Sequence, residues 1–282
     1  MEMDRDAYRE QSRETWAEMA PGWEARNKWM NEVAGRVNEW IIEKVDPQPK
    51  ETVLELAAGP GDLGFRVAER VGDGGRVLST DFSPEMVGVA RRLGDARGLT
   101  NVEYRVLDAE AMDLDDESAD RVVCRWGYML MADPAAALSE TKRVLHSGGP
   151  LAFAVWAAPE RNPWAALPAK VLIERGHMPP PQPGTPGIFA MADPERVRAL
   201  VSEAGFGEPE LEEIAFEFRY ADADDLWDTL VRLAGPLARA LKSLPEEELQ
   251  ATRAAIEESL APFRGEDGSY SAPALCWGAL VR

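Results

Sequence analysis

Thr52-Val-Leu-Glu-Leu-Ala-Ala-Gly59-Pro-Gly-Asp-Leu-Gly64 is the stretch that decides the fold. Its first five residues make a short apolar run, and the residues from about 62 onward recur at helical spacing. Between them stands a glycine turn. Glycines at a strand-to-helix turn let the backbone come close to a ligand, because no Cβ stands in the way. The free N–H groups at the start of the helix then offer donors to a polar or anionic group.

Outward from this turn the rhythm repeats. Short β-like runs at 76–80, 102–106, 120–124 and 151–156 alternate with helical stretches at about 62–71, 83–97 and 133–146. Short apolar strands alternating with such helices imply a parallel sheet covered on both faces. Gly59-Pro-Gly61-Asp-Leu-Gly64 fits the G-x-G-x-x-G fingerprint, which suits NAD, a flavin or S-adenosylmethionine equally. The second strand ends at Asp81, whose carboxylate can accept two hydrogen bonds from an adenosine ribose. Ser83-Pro-Glu already serves as a helix cap, which leaves Asp81 free for that role. Phe82 and Met86 are expected to flank an adenine. The third strand ends at Asp108-Ala109-Glu110, where a carboxylate or backbone group can read the base. The fourth ends at Arg125-Trp126-Gly-Tyr128, beside the crevice where open α/β sheets bind ligands.

Before and after this core the pattern differs. Residues 4–20 and 24–45 read as helices broken at Pro21-Gly22, forming an N-terminal helical cap over 1–45. The cofactor-binding core occupies 46–157. Residues 158–192 form a cap or lid insertion, with a helix at about 163–176 and a loop in the proline-rich stretch 179–187. The C-terminal part, 193–282, opens with a helix capped by Asp193 and Pro194, continues with a strand at about 210–219, and closes with one at 273–281. A helical cap segment at about 222–263 lies between those strands.

Glu55-x-Ala-x-Gly59-x-Gly61, Asp81-Phe-Ser-Pro-Glu-Met86, Asp108-Ala-Glu110 and Arg143-Val-Leu-His-Ser-Gly-Gly149 form an ordered series. Together they resemble the class I S-adenosylmethionine-dependent methyltransferases, most of all the ubiquinone/menaquinone-biosynthesis methyltransferase group. The resemblance is strong over about 45–157 and fades over 158–270. It implies an α/β, Rossmann-like seven-stranded sheet whose antiparallel last strand sits between strands five and six, with helices on both faces. It also implies S-adenosyl-L-methionine as cofactor. On that resemblance Gly59 and Gly61 approach the methionine moiety, with Glu55, Ala57 and Pro60 beside them. Asp81 holds the ribose, and Asp108, Ala109 and Glu110 meet the adenine. Arg125 and Trp126 lie near the methionine end. The Ser147-Gly-Gly turn departs from the family's common Pro-Gly-Gly, and His146 stands where a lysine is frequent; neither touches the cofactor positions.

Composition narrows the partners. The 282 residues are 45% hydrophobic and carry a formal charge of −19, a field that repels nucleic acid and anionic membranes. No secretory signal or membrane span is visible, so a cytoplasmic location is expected. Cys124 and Cys276 cannot make a disulfide framework or a four-thiolate metal site, and no metal is expected.

Methyl transfer from a sulfonium needs alignment, exclusion of water and uptake of a proton, and no conspicuous triad. The turn Arg125-Trp-Gly-Tyr128 lacks the Asn/Asp-Pro-Pro-aromatic pattern of enzymes acting on DNA or protein nitrogens. A small, partly apolar acceptor remains, whether aromatic, prenyl-like or lipid-like, since nine tryptophans are a rich supply for such a pocket. Trp23, Trp29, Tyr128, Met129, Trp156 and Trp164 are the expected acceptor contacts. His177, beside the proline loop, is the one neutral-pH base available in the cap. A homodimer through exposed cap tryptophans is open. Two alternatives stand beside this reading: a domain that binds S-adenosylmethionine without turnover, and an NAD-dependent oxidoreductase. The latter lacks a Tyr-x-x-x-Lys pair and has no need of Glu55 or the Asp108-Ala-Glu pattern.

Overall fold

The structure, a computed structural model, describes residues 3–182 and 184–282. Seven strands form one sheet: β1 (Thr52–Leu56), β2 (Arg76–Asp81), β3 (Val102–Val106), β4 (Arg121–Arg125), β5 (Leu151–Trp156), β6 (Glu210–Tyr220) and β7 (Tyr270–Val281). Their order is β3-β2-β1-β4-β5-β7-β6. β1 to β5 pair in parallel, whereas β7 runs antiparallel to both β5 and β6. This is the sheet expected from the sequence. The central parallel strands β1, β4 and β5 carry buried apolar residues on both faces because helices cover both sides. Every residue of β5 is buried, whereas the edge strand β3 (VEYRV) has none buried.

The helices of the core are α4 (Asp62–Val71), α5 (Pro84–Ala96) and α6 (Pro134–Val144). Ser83 caps α5 through the Met86 N–H, and Asp133 caps α6 through Ala136. β1 and β4 are parallel neighbours, but successive strands are added outward in opposite directions from them, so the crevice at their carboxyl ends is where such sheets bind ligands.

Three expectations of the sequence change. The first helix does not break at Pro21-Gly22: α1 runs from Arg5 to Ala25, followed by α2 (Asn27–Val33) and α3 (Gly35–Val45). An interior proline costs a helix about 3 kcal/mol, and tertiary contact offsets it here. Gly22 lies so close to Arg232 that a Cβ would stand 2.5 Å from that residue's carbonyl oxygen. The helical stretch 222–263 divides into α9 (Ala223–Leu233), α10 (Pro236–Lys242) and α11 (Glu246–Ser259), because Gly235 takes φ +51° before Pro236 and Pro245 interrupts again. The closing strand starts at Tyr270, three residues before the expected Pro273. The two remaining helices, α7 (Pro163–Glu174) and α8 (Pro194–Glu203), match the reading, and Asp193 caps α8. The described residues of 179–187 form neither helix nor strand; residue 183 lies outside the description.

The β6–β7 pair outlasts the rest of the sheet. β5 ends at Trp156, which pairs with Cys276, and Cys276 pairs with Ile214 on the other side. Beyond that rung β6 and β7 continue together to Tyr220 and Tyr270. The extension reaches about 20 Å past the edge of the neighbouring strand. It makes a wall above the carboxyl edge, and the N-terminal helices lean on it.

Candidate functional site

At the carboxyl end of β1 the backbone turns through three left-handed residues: Ala57 at φ +50°, Gly59 at +54° and Gly61 at +87°. The two glycines do different work. A Cβ at Gly59 would meet nothing within 4 Å, so the turn is open there, whereas one at Gly61 would stand 2.7 Å from the Phe65 ring. Gly61 is a glycine for packing as much as for backbone freedom. The buried Pro60 separates them. Trp126, just past β4, is also left-handed at φ +60°. Non-glycine residues in this region are strained, and such strain concentrates at functional sites. Ala57 and Trp126 share one seam, since a Cβ on Gly127 would come within 2.7 Å of the Ala57 Cβ.

Glu55 lies beneath the turn, fully inside the protein. It accepts from the Gly64 N–H at 2.8 Å and from the Ser79 hydroxyl at 2.7 Å. Burial pushes its carboxyl up to about 7, against the pull of those donors and of Arg125. The native chain then holds a proton that the unfolded chain has lost. This group's contribution to stability is full below about pH 4.5 and is lost as pH rises towards about 7. In Glu55→Gln the amide can accept from Gly64 and donate to Ser79, so the decline is expected to vanish. Urea unfolding of both proteins across that window should give a stability difference that shifts towards the variant as pH rises. A constant difference would refute the shift.

Asp81 ends β2 with both oxygens oriented: Oδ2 accepts from the Gly59 N–H and Oδ1 from the Ser83 N–H, each at 2.9 Å. Burial raises its pKa while these backbone donors lower it. A carboxylate has lone pairs to spare after two such bonds, so a ribose hydroxyl can still be accepted. The Arg13 guanidinium covers the Phe82 ring at 4.9 Å, and Met86 is buried with Met19 and Ala20 of α1. At the third strand's end Asp108 Oδ1 accepts from the Glu110 N–H, and Ala109 is buried. Glu110 differs from expectation. Its oxygens accept from the Ala132 and Asp133 N–H groups at 2.8 and 3.0 Å and pair with Arg9. A carboxylate so occupied ties α1 to the loop before α6 and has little left for a base. Tyr8 donates to the Leu130 carbonyl at 2.9 Å, adding to the same strap.

Asp62, the first residue of α4, is completely buried. Asn27 and Asn31 of α2 donate to it at 2.9–3.0 Å. These bonds fix the N-terminal helices directly onto the turn, a role that the sequence reading missed because each asparagine is 31 or 35 residues distant from its acceptor.

Of the four expected acceptor tryptophans, Trp156 is buried in the core, and Trp23, Trp29 and Trp164 are half-buried against it. Trp126 stacks on Trp156 at 4.5 Å, and Trp156 meets Trp164 at 4.8 Å. Trp164 lies flat on Phe218 at 3.9 Å, and Trp29 approaches Phe218 and Tyr220 at 5.8 and 5.6 Å. Phe216, Phe218 and Tyr220 went unremarked in the sequence, although aromatics at every second residue are what one face of a strand gives. Trp23 pairs edge-on with Trp16 at 6.1 Å, apart from this group, and its buried indole N–H has no partner.

Two acceptor contacts and the proposed base need correction. Tyr128 has no exposed surface; its hydroxyl bonds Thr141 of α6 at 2.7 Å and its ring meets Phe153 edge-on. Met129 is buried likewise, because a one-turn 3₁₀ helix folds both side chains into the core. His177 lies just past α7 with Nε2 2.7 Å from Glu248 of α11, beside Arg175 on the same carboxylate. That is a latch between two helices. His177→Ala is expected to leave turnover within about twofold while costing about 1 kcal/mol or less; steady-state kinetics check it, and a tenfold fall would return the residue to catalysis.

Among the described residues no cluster of three or more His, Cys, Asp and Glu could hold a metal, and no helix is long and apolar enough to cross a membrane.

Comparison with known proteins joins this geometry to a family. A methyltransferase-domain model matches residues 47–171. A demethylmenaquinone methyltransferase of Thermus thermophilus is 30% identical over 204 residues, 68% of this chain and 90% of the relative. A ubiquinone/menaquinone biosynthesis C-methyltransferase of Acidiphilium cryptum is 33% identical over 147 residues, 51% of this chain and 58% of that one. A Bacillus halodurans structure, described as a candidate methyltransferase, superposes with a TM-score of 0.58 at 25% identity, covering 87% and 97% of the two chains. The sheet, the glycine turn and these relatives define an enzyme that transfers a methyl group from S-adenosylmethionine. The chain belongs to the class I S-adenosylmethionine-dependent methyltransferases, and within them it resembles the ubiquinone/menaquinone-biosynthesis group. The residues present suit that cofactor: the open backbone at Gly59, the oriented Asp81 carboxylate, and buried donors on the N-terminal helices that lack partners, such as Asn38 Nδ2.

Proposed function

We propose that this methyltransferase acts on a small, partly apolar aromatic acceptor held between the helical cap and the β6–β7 wall, releasing S-adenosylhomocysteine. The aromatic wall at the carboxyl edge carries this reading. Its inner members are Trp126 just past β4, Trp156 of β5, and Phe216, Phe218 and Tyr220 of β6, all buried against one another; the half-buried Trp164 of α7 and Trp29 of α2 lie on them and are the faces left to a ligand. Flat, apolar faces bind aromatic rings through area and offset stacking, worth about 0.5–1.5 kcal/mol per pair beyond burial. The names of the relatives point the same way, towards a quinol or hydroxylated ring as the first acceptor to try.

When bound, S-adenosylmethionine supplies an electrophilic methyl group on a sulfonium. The chain's part is alignment and dryness. Asp81 and the turn would hold the adenosine end, the aromatic wall would orient the ring, and α1 to α3 would exclude water. No protein base is assigned, since an ionised hydroxyl or enolate acceptor brings its own electron pair.

The test is S-adenosylhomocysteine release with a panel of quinols, phenols, amines, thiols and carboxylates. Turnover confined to hydroxylated aromatics is expected, with substitution of the half-buried Trp164 by alanine (Trp164→Ala) raising the acceptor KM at least tenfold and leaving S-adenosylhomocysteine affinity unchanged. Silence across the panel would favour a binding protein, and turnover of aliphatic amines alone would overturn the aromatic reading.

A further inference from the structure

We infer that Asn38 and Arg125 together form a carboxylate-binding subsite that holds the amino-acid carboxylate of the cofactor. The inference rests on the cofactor lying over the glycine turn.

Arg125 is the last residue of β4, so its side chain leaves the sheet at the carboxyl edge. Val123, two residues earlier, pairs with Glu55, and side chains on one face recur every second residue. Arg125 and Glu55 therefore project from the same face, the one covered by α3 and α4. There the guanidinium lies against the Trp126 ring at 5.0 Å and donates through Nη1 to Asn38 Oδ1 at 2.7 Å. Among the described residues no carboxylate reaches it within 4.0 Å, although Glu55 and Asp62 are near enough to act on its charge. Asp62 is already engaged with Asn27, Asn31 and Arg97. A guanidinium in such a setting has donors and charge to spare.

Asn38 supplies the second observation. It is 0% exposed, on the sheet-facing side of α3. Since a guanidinium only donates, the amide oxygen must face Arg125, and the amide nitrogen faces elsewhere. That nitrogen is buried with no partner. A buried donor left unmade is costly, so its persistence beside an unpaired cation calls for a ligand that only accepts. A carboxylate is such a ligand, and the open backbone of the glycine turn is one strand away. The family resemblance already puts Arg125 near the methionine end, but Asn38 stands out only in the structure, because an asparagine within an apolar helical face looks like an ordinary turn of the cap.

The experiment compares calorimetric affinities for S-adenosylhomocysteine and for S-adenosyl-3-thiopropylamine, which keeps the amine and lacks the carboxylate. Wild-type protein is expected to prefer the former at least tenfold. Asn38→Asp keeps the shape and can still accept from Arg125, but turns the donor into a repelling acceptor. It is expected to erase that preference by weakening S-adenosylhomocysteine at least tenfold while the amine binds as well or better. Asn38→Ala, which adds no charge, is the second variant and should narrow the preference in the same sense. An unchanged preference in a folded variant, equal loss for both ligands, or a wild type indifferent to the carboxylate would each overturn the inference while leaving the cofactor in place. Wild-type protein that binds neither would overturn the placement of the cofactor as well.

Discussion

Gly64→Ala is expected to destabilise the protein by about 3 kcal/mol or more and to abolish cofactor binding at the same stroke. A Cβ at this position would stand 2.1 Å from Glu55 Oε2, and neither side can move cheaply. The carboxylate is pinned by Ser79, and the backbone belongs to the first turn of α4, which sets the glycine turn. Gly59→Ala is the control. It has open space around its Cβ but a left-handed φ of +54°, so it should cost only about 1–2 kcal/mol of backbone strain. Urea unfolding of the two variants separates the mechanisms. Equal effects would mean that packing against Glu55 is not what requires glycine at 64.

Asp81→Ala is expected to weaken S-adenosylhomocysteine binding by about 1.5–3 kcal/mol, the worth of hydrogen bonds to a charged group. The loss has two parts that the geometry distinguishes. One is the lost acceptor for the ribose, and the other is a slackened turn, since Asp81 also accepts from the Gly59 and Ser83 N–H groups. Asp81→Asn is a poor mimic for the same reason: its amide nitrogen must face one of two backbone donors. It should lose nearly as much affinity as alanine. Calorimetric titration checks both, and wild-type affinity in either variant would mean that the cofactor does not lie over this turn.

The core was legible because each of its elements is local. TVLEL followed by a glycine turn defines a strand, a turn and a helix within thirteen residues, and the same grammar recurs at Asp81, Asp108 and Arg125. The caps at Ser83 and Asp193 are equally local and appear where expected. Pro21 misleads because its helix is held by a contact invisible in the local sequence, the close approach of Gly22 to Arg232. His177, Tyr128 and Met129 misled for a related reason. They stand at the right place in the chain for chemistry, and only their partners Glu248, Thr141 and the surrounding core reveal that they hold helices and fill volume.

The parallel core and the acids that end its strands can be read from residues alone, since periodicity and turn chemistry act over a few positions, whereas the cofactor class follows from the family resemblance that the ordered motifs carry. Which of these groups are free to meet a ligand depends on contacts between residues distant in the chain. Glu110 is consumed by Arg9 and two backbone donors, while Asn38 keeps a donor in hand. Burial makes an unmade hydrogen bond expensive, and burial depends on residues far apart in the chain.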